Sequence, residues 1–305
     1  MVSTWLNGLV SGTVFSGAAY FAGGDTGSVV ATVDKFDFGD DSRTTLGTGL
    51  SSARKGLAGA ANSGTAAYFG GGNTGSVVAT VDKFAFSDDS RTTLGTGLSS
   101  SRWLFAAAAN SGTAAYFAGG YSPNLATVDK FAFSDDGRTT LGTGLSAANR
   151  GLAGAANSGT AAYFGGGNDG SNTATVDKFA FSDDGRTTLG TGLSSTVYLP
   201  AAAANSGTAA YFAGGNDGSN VATVDKFAFS DDSRTTLGTG LSSARKSLAG
   251  AAYSGTAAYF GGGTTGSLVA TVDKFAFSDD SRTTLGTGLS SARQLVAAAA
   301  NSGTL

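Results

Sequence analysis

The stretch Leu57-Ala58-Gly59-Ala60-Ala61-Asn62-Ser63-Gly64-Thr65-Ala66-Ala67-Tyr68-Phe69-Gly70-Gly71-Gly72 holds two short apolar runs with a turn between them. The first run is made of Leu, Ala and Gly alone, and Asn-Ser-Gly then supplies residues that favour a tight turn. Thr65 to Phe69 reads as a second strand, stopped by three glycines. Further on, Ala79-Thr80-Val81-Asp82-Lys83-Phe84-Ala85-Phe86 reads as a third strand, rich in β-forming residues. Ser87-Asp88-Asp89-Ser90 is a turn whose side chains bond back to nearby backbone, and Arg91 to Thr96 reads as a fourth strand. Nothing here keeps a 3.6-residue apolar period long enough for a helix.

The same unit recurs along the chain. Val-Asp-Lys-Phe begins at Val33, Val81, Val128, Val176, Val224 and Val272, at spacings of 48, 47, 48, 48 and 48. Tyr-Phe-x-Gly-Gly keeps step at Tyr20, Tyr68, Tyr116, Tyr163, Tyr211 and Tyr259. Six units of four strands predict an all-β chain folded as a six-bladed β-propeller, with four antiparallel strands per blade. A β-helix is the structural rival, but its coils are about half this length. The small residues of the first strand suit a position crowded around a central axis.

A finer alternation predicts how the ring closes. Tyr20, Tyr116 and Tyr211 are followed by Phe-Ala-Gly-Gly, whereas Tyr68, Tyr163 and Tyr259 are followed by Phe-Gly-Gly-Gly. First strands alternate in step, as Ala106 to Ala109 and Ala201 to Ala204 against Leu57-Ala58-Gly59, Leu152-Ala153-Gly154 and Leu248-Ala249-Gly250. Ala297 to Ala300 form a first strand with no blade after it, and only the N-terminal blade lacks one. Residues 294–305 should therefore complete the blade that Tyr20 begins, making three pairs of blades within one domain spanning 1–305. Residues 1–15 are surplus to the repeats, as an extra strand or a tail, and the repeats of about 48 residues run from 16.

Ala53-Arg54, Tyr68-Phe69-Gly70-Gly71 and Val81-Asp82-Lys83-Phe84 follow one another in an order similar to that of the kelch repeat: Arg, double glycine, aromatic. The resemblance covers all six units, with Leu94 and its equivalents (Leu46, Leu141, Leu189, Leu237 and Leu285) standing where kelch repeats carry Trp. The segment Thr-Thr-Leu-Gly-Thr-Gly-Leu-Ser-Ser-Ala-Arg resembles kelch-like repeats of bacterial and phage-associated proteins. Ser134, Asp136, Thr140 and Leu141 also resemble the Asp-box hairpin of sialidase-type propellers, with Arg138 where that motif has Gly; such a hairpin implies a locked turn.

Composition narrows the function. The chain has no His, no Cys and no Glu, so all 22 acidic residues are Asp. An imidazole base and a thiolate nucleophile are thus unavailable. The His and Cys that the copper-dependent kelch-like oxidases need, and the Glu partner of sialidase-type chemistry, are absent too. Asp88-Asp89 recurs in every unit, which argues for turns rather than catalysis. The expectation is a non-enzyme with no cofactor and no metal site. Asn168-Asp169-Gly170-Ser171-Asn172 and Asn216-Asp217-Gly218-Ser219-Asn220 carry hard oxygen groups, but one carboxylate each is too few for calcium, and they read first as turns. A formal charge of -3 leaves no basic footprint for nucleic acid, and no apolar run reaches the ~20 residues of a membrane span. The N-terminal residues lack the basic region and cleavage site of a signal peptide. A monomer is expected.

Function is sought where the repeats differ. The fourth-to-first and second-to-third connections vary, and in a propeller both open on one face. The first set offers Lys55, Trp103, Phe105, Arg150, Tyr198, Lys246 and Gln294. The second offers Tyr121, Asn124, Asn168, Asp169, Asn216 and Asp217. Aromatic rings beside Asn and Asp suit stacking on a sugar and bonding to its hydroxyls. The competing role for Trp103 and Tyr198 is to plug the channel mouth or pack between blades, which the adjacent Leu104, Phe105 and Leu199 favour. Two classes of function follow: a binding module for a carbohydrate or protein, or a structural component such as a phage virion or surface scaffold, or an engineered symmetric ring without a ligand.

Overall fold

The structure, a computed structural model, describes residues 17–301 as six four-stranded antiparallel sheets. Blade 2 is typical, with an inner strand Ala58–Asn62, a second strand Ala66–Gly70, a third Val81–Ala85 and an outer strand Arg91–Thr93. The inner strands of blades 3 to 6 are Ala106–Asn110, Ala153–Asn157, Ala201–Asn205 and Ala249–Tyr253. In blade 1 the inner strand is Ala297–Asn301, paired antiparallel to Ala18–Ala22 from Ala18 opposite Asn301 to Ala22 opposite Ala297. The last strand of the chain thus closes the ring, as the sequence predicts. The fate of residues 1–15 and the end of the closing segment lie outside the described residues.

Two predicted strands are shorter than expected. The third begins at Val81 because the carbonyl of Ala79 is taken by the amide of Leu98, in the connection to the next blade. The outer strand ends at Thr93, since the Leu94 amide makes the last bond back to Val81 before the chain turns away.

Both faces of every sheet pack on a neighbour, so the core lies between blades. In the second strand of blade 1, Ala18, Tyr20 and Ala22 pack with Phe69 and Phe84 of blade 2. The alternate residues Ala19 and Phe21 join Tyr259 and Val272 of blade 6. All five residues of that strand are buried, which turns the usual half-polar alternation into an unbroken apolar run.

Polar clasps join the blades outside these cores. Tyr68 donates its hydroxyl to Asp136 of the next blade (2.7 Å), and Lys83 pairs with the same carboxylate (2.9 Å). The arrangement recurs at Tyr116–Asp184, Tyr163–Asp232 and Tyr211–Asp280, at Tyr20–Asp89, and across the seam at Tyr259–Asp41. Each of these carboxylates sits on a turn residue with φ between 56° and 58°. Asp136, singled out above as a turn-locking residue, therefore also ties blade 2 to blade 3.

The pairwise alternation has a steric cause. A Cβ on Gly154 would lie 2.5 Å from the backbone oxygen of Ala107 in blade 3, and Gly59 and Gly250 face Ala298 and Ala202 in the same way. On the other flank, a Cβ on Gly165 would come within 2.9 Å of the Phe212 ring of blade 5. Even-numbered blades are thinned on both sides to fit between odd-numbered ones.

Replacing Gly154 by Ala should therefore cost about 1–3 kcal/mol through overpacking against rigid backbone. Gly95→Ala, where a Cβ meets nothing, should change the melting temperature little. Thermal denaturation of both variants checks this, and equal shifts would refute it.

The clasp also sets a pH limit. Burial, then the bond to an Asp carboxylate, pushes the Tyr68, Tyr116 and Tyr211 phenols well up, and Tyr163 up to about 12. A phenol in the unfolded chain titrates near 10. Since the folded values are raised, this stability is complete below about pH 10 and is lost as pH climbs beyond it. Melting temperature should hold between pH 7 and 9 and fall above 10, with the six clasp phenols ionising only as the protein unfolds. Ionisation of these tyrosines near pH 10 in the folded state would contradict it.

Candidate functional site

The two variable sets of connections meet, blade by blade, as short antiparallel bridges. Lys55 pairs with Asn73, Trp103 with Tyr121, Arg150 with Asn168, Tyr198 with Asn216, Lys246 with Thr264 and Gln294 with Asp25. Each bridge prolongs the hairpin of its blade's inner and second strands, and this places both sets on one face.

Inside these bridges runs a closed circle of backbone hydrogen bonds. Leu104 N–H donates to Gly56, Gly151 to Leu104, Leu199 to Gly151, Ser247 to Leu199, Leu295 to Ser247 and Gly56 to Leu295, at 2.6 to 3.0 Å. All six residues adopt left-handed backbone, with φ from 54° to 63°. For each Leu that conformation costs roughly 1–2 kcal/mol. The hydrogen bonds and the burial of the residues that follow offset this cost. Leu57, Phe105, Leu152, Pro200, Leu248 and Val296 join the circle in lining a cavity of about 70 Å³ at the axis. Ser247 is the single polar side chain among the residues that line it, and backbone groups give the cavity a mainly polar surface.

Trp103 and Tyr198 sit outside this circle. Trp103 covers Gly56 and Tyr198 covers Gly151, each so close that a Cβ on the glycine would collide with the ring. They do pack between blades, as one expectation held, but Leu104, Leu199 and Leu295 take the places at the mouth. Tyr121 remains outermost; 38% exposed, it is the one exposed large hydrophobic side chain among the described residues. It meets Trp103 edge to face at 6.4 Å, and the Arg150 guanidinium lies 4.5 Å from its ring centre and 6.0 Å from that of Tyr198. Burial pushes the Tyr198 phenol up, against the pull of Arg150.

The other candidates do not join this group. Lys55 pairs with Asp25 of blade 1, and that bond holds the Asp25 carboxyl below its usual range. Gln294 bridges the same Asp25, and Lys246 lies on blade 6. Asn168 and Asn216 bond within their own loops, to Asn172 and Asn220, so these segments are turns as read. They also accept bonds from Asn124 and Asn172 of the preceding blades, at 3.1 and 2.9 Å, which stitch the rim from blade 3 to blade 5. Asp169 and Asp217 project at exposed loop tips. The sequence reading missed the circle, because nothing marks a Leu as left-handed. No protein-family model and no curated protein sequence matches the chain.

The Arg150–Tyr121 contact is exposed enough to give a modest coupling. A double-mutant cycle with Arg150→Ala and Tyr121→Ala should return about 0.5–1 kcal/mol in unfolding free energy. Strict additivity would show that the stack contributes nothing.

Proposed function

We propose that this propeller is a non-catalytic binding module of kelch-like type that takes its ligand on the Trp103–Tyr121–Arg150–Tyr198 patch. One observation carries the reading: the single exposed large apolar side chain among the described residues lies on a stacked cation and beside an aromatic edge, on the face where the repeats diverge. A ring face and a guanidinium side by side offer stacking together with hydrogen bonds to hydroxyl or carboxylate groups. This combination favours a carbohydrate over an apolar peptide. A non-catalytic role is supported by an axial cavity lined by no titratable side chain and by the use of the repeated Asp residues as clasps.

A glycan array and a peptide array, followed by calorimetry on any hit, test this. Tyr121→Ala and Arg150→Ala should each weaken binding tenfold or more, while Lys246→Ala leaves it unchanged. A hit on peptides alone would move the ligand class from sugar to protein. No hit, or a hit indifferent to both variants, would overturn the reading. Concentration-dependent self-association in light scattering would then favour an assembly component.

A further inference from the structure

The residue that ends each connection into an inner strand is Arg in four blades: Arg54, Arg102, Arg245 and Arg293. Each is completely buried and paired with the third-strand Asp of its own blade, at 2.8 to 3.0 Å. Each also donates to the carbonyl of the second-strand Phe, as Arg54 does to Phe69 (3.2 Å). The two Asp oxygens take further bonds, in blade 2 from Ser51 and Thr93. One buried positive charge thus balances one buried negative charge.

Blades 4 and 5 break the pattern, with Asn149 and Val197 in the Arg position. Their carboxylates, Asp177 and Asp225, stay buried at 4% exposure and keep the Ser and Thr bonds. A half-buried outer Arg lies 3.5 Å from Asp177, but the Arg-bearing blades have that residue as well, as at Arg43 and Asp34 (3.6 Å). In both blades a small cavity of about 10 Å³ opens beside the carboxylate, enough for one water-sized species.

The two cavities differ in chemistry. In blade 5 the change is to apolar Val197, which leaves Ser194, Ser195, Thr223 and Asp225 as the polar side chains beside Pro200, Leu193 and Phe212. Blade 4 changes at three lining positions: Asn149 and Thr173 bring oxygens in, while Ala147 stands where the other five blades have Ser. Thr173 stands where the other blades have Val30, Val78, Leu125, Val221 and Val269. Its hydroxyl pairs with that of Thr175 (2.8 Å), and both line the cavity with Asp177 and Asn149. Asn149 is 8% exposed; its Nδ2 donates to Gly166, which fixes the amide orientation, and its Oδ1 is buried without a partner. A buried acceptor left unpaired is costly and calls for a donor or a cation.

We propose that this cavity of blade 4 binds one monovalent cation of sodium or potassium size, held by the Asp177 carboxylate, Asn149 Oδ1 and the Thr173 and Thr175 hydroxyls. The argument for a single charge is balance at the buried Asp177, where the ion replaces one guanidinium; Asp169, the second carboxylate of the lining, is exposed to solvent. Among the described residues no three His, Cys, Asp or Glu side chains gather to cage a divalent ion. The cavity is also too small for an organic cation.

Crystals of the full chain grown with rubidium chloride test this directly. One anomalous peak between Asp177 and Asn149, and none in the other five blades, is expected. Thermal denaturation at constant ionic strength, with choline replacing sodium or potassium, gives a second reading. Wild type should gain about 3 °C at saturating sodium or potassium. Asn149→Arg, which puts a guanidinium where four other blades carry one, should abolish that gain. A water without anomalous signal, an equal gain in Asn149→Arg, or a response to calcium alone would each overturn the proposal.

Discussion

Each second strand is buried on both faces, so no blade can satisfy its own core. Tyr20 and Phe21 are adjacent in sequence yet belong to two clusters on opposite sides of one sheet. A sheet with two apolar faces must be covered twice, and six such sheets can cover one another only by closing into a ring. The pairing of Ala297–Asn301 with Ala18–Ala22 is therefore the contact on which the rest depends. It joins the ends of the chain through backbone hydrogen bonds, and without it blades 1 and 6 would each expose a full apolar face.

Closure imposes exact repetition near the axis, and the alternation of Ala and Gly is its result. Six inner strands converge where side chains larger than a methyl group have no room. Gly59, Gly154 and Gly250 give way to a backbone oxygen of the preceding blade, so every second blade must be thinner. The circle of left-handed residues is the same constraint at the mouth. Six connections that turn inward at equal angles bring each amide to the next carbonyl, and the circle returns to its start because the blades do. Rigid geometry at one radius then leaves the rim outside it free to vary.

The repeat made strand number, blade order, closure and pairing legible in the sequence, since each rests on residue identity recurring in step. What failed to show was local geometry without a compositional mark. Ala79 looks like strand sequence, but its carbonyl serves a connection rather than a sheet. Leu104, Leu199 and Leu295 take a backbone that sequence reasoning reserves for Gly and Asn. At the rim, the pairing of the two variable sets was legible from propeller topology. That Arg150 lies between Tyr121 and Tyr198 was not, because three blades contribute and only the closed ring fixes their distance.

Departures from a strict repeat carry information because the repeat defines what structure alone requires. Tyr253 replaces the Asn whose Oδ1 accepts from a turn glycine of the next blade, and it stacks on Phe38 at 4.9 Å beside the closing seam, which is a packing reason. Val197 replaces a buried Arg in blade 5 and packs near Pro200, while Asp225 keeps its bonds from Ser194 and Thr236. Neither needs a ligand to explain it. The rim patch is different: Trp103, Tyr121 and Arg150 expose groups that the ring does not use, and blades 1 and 6 manage the same bridges with Gln294 and Lys246. Asn149 with Thr173 is different again, because it leaves an oxygen buried and unpaired beside a carboxylate. In a molecule where four other blades fill that space with a guanidinium, an unpaired oxygen beside a gap is better explained by something that binds there than by poor packing.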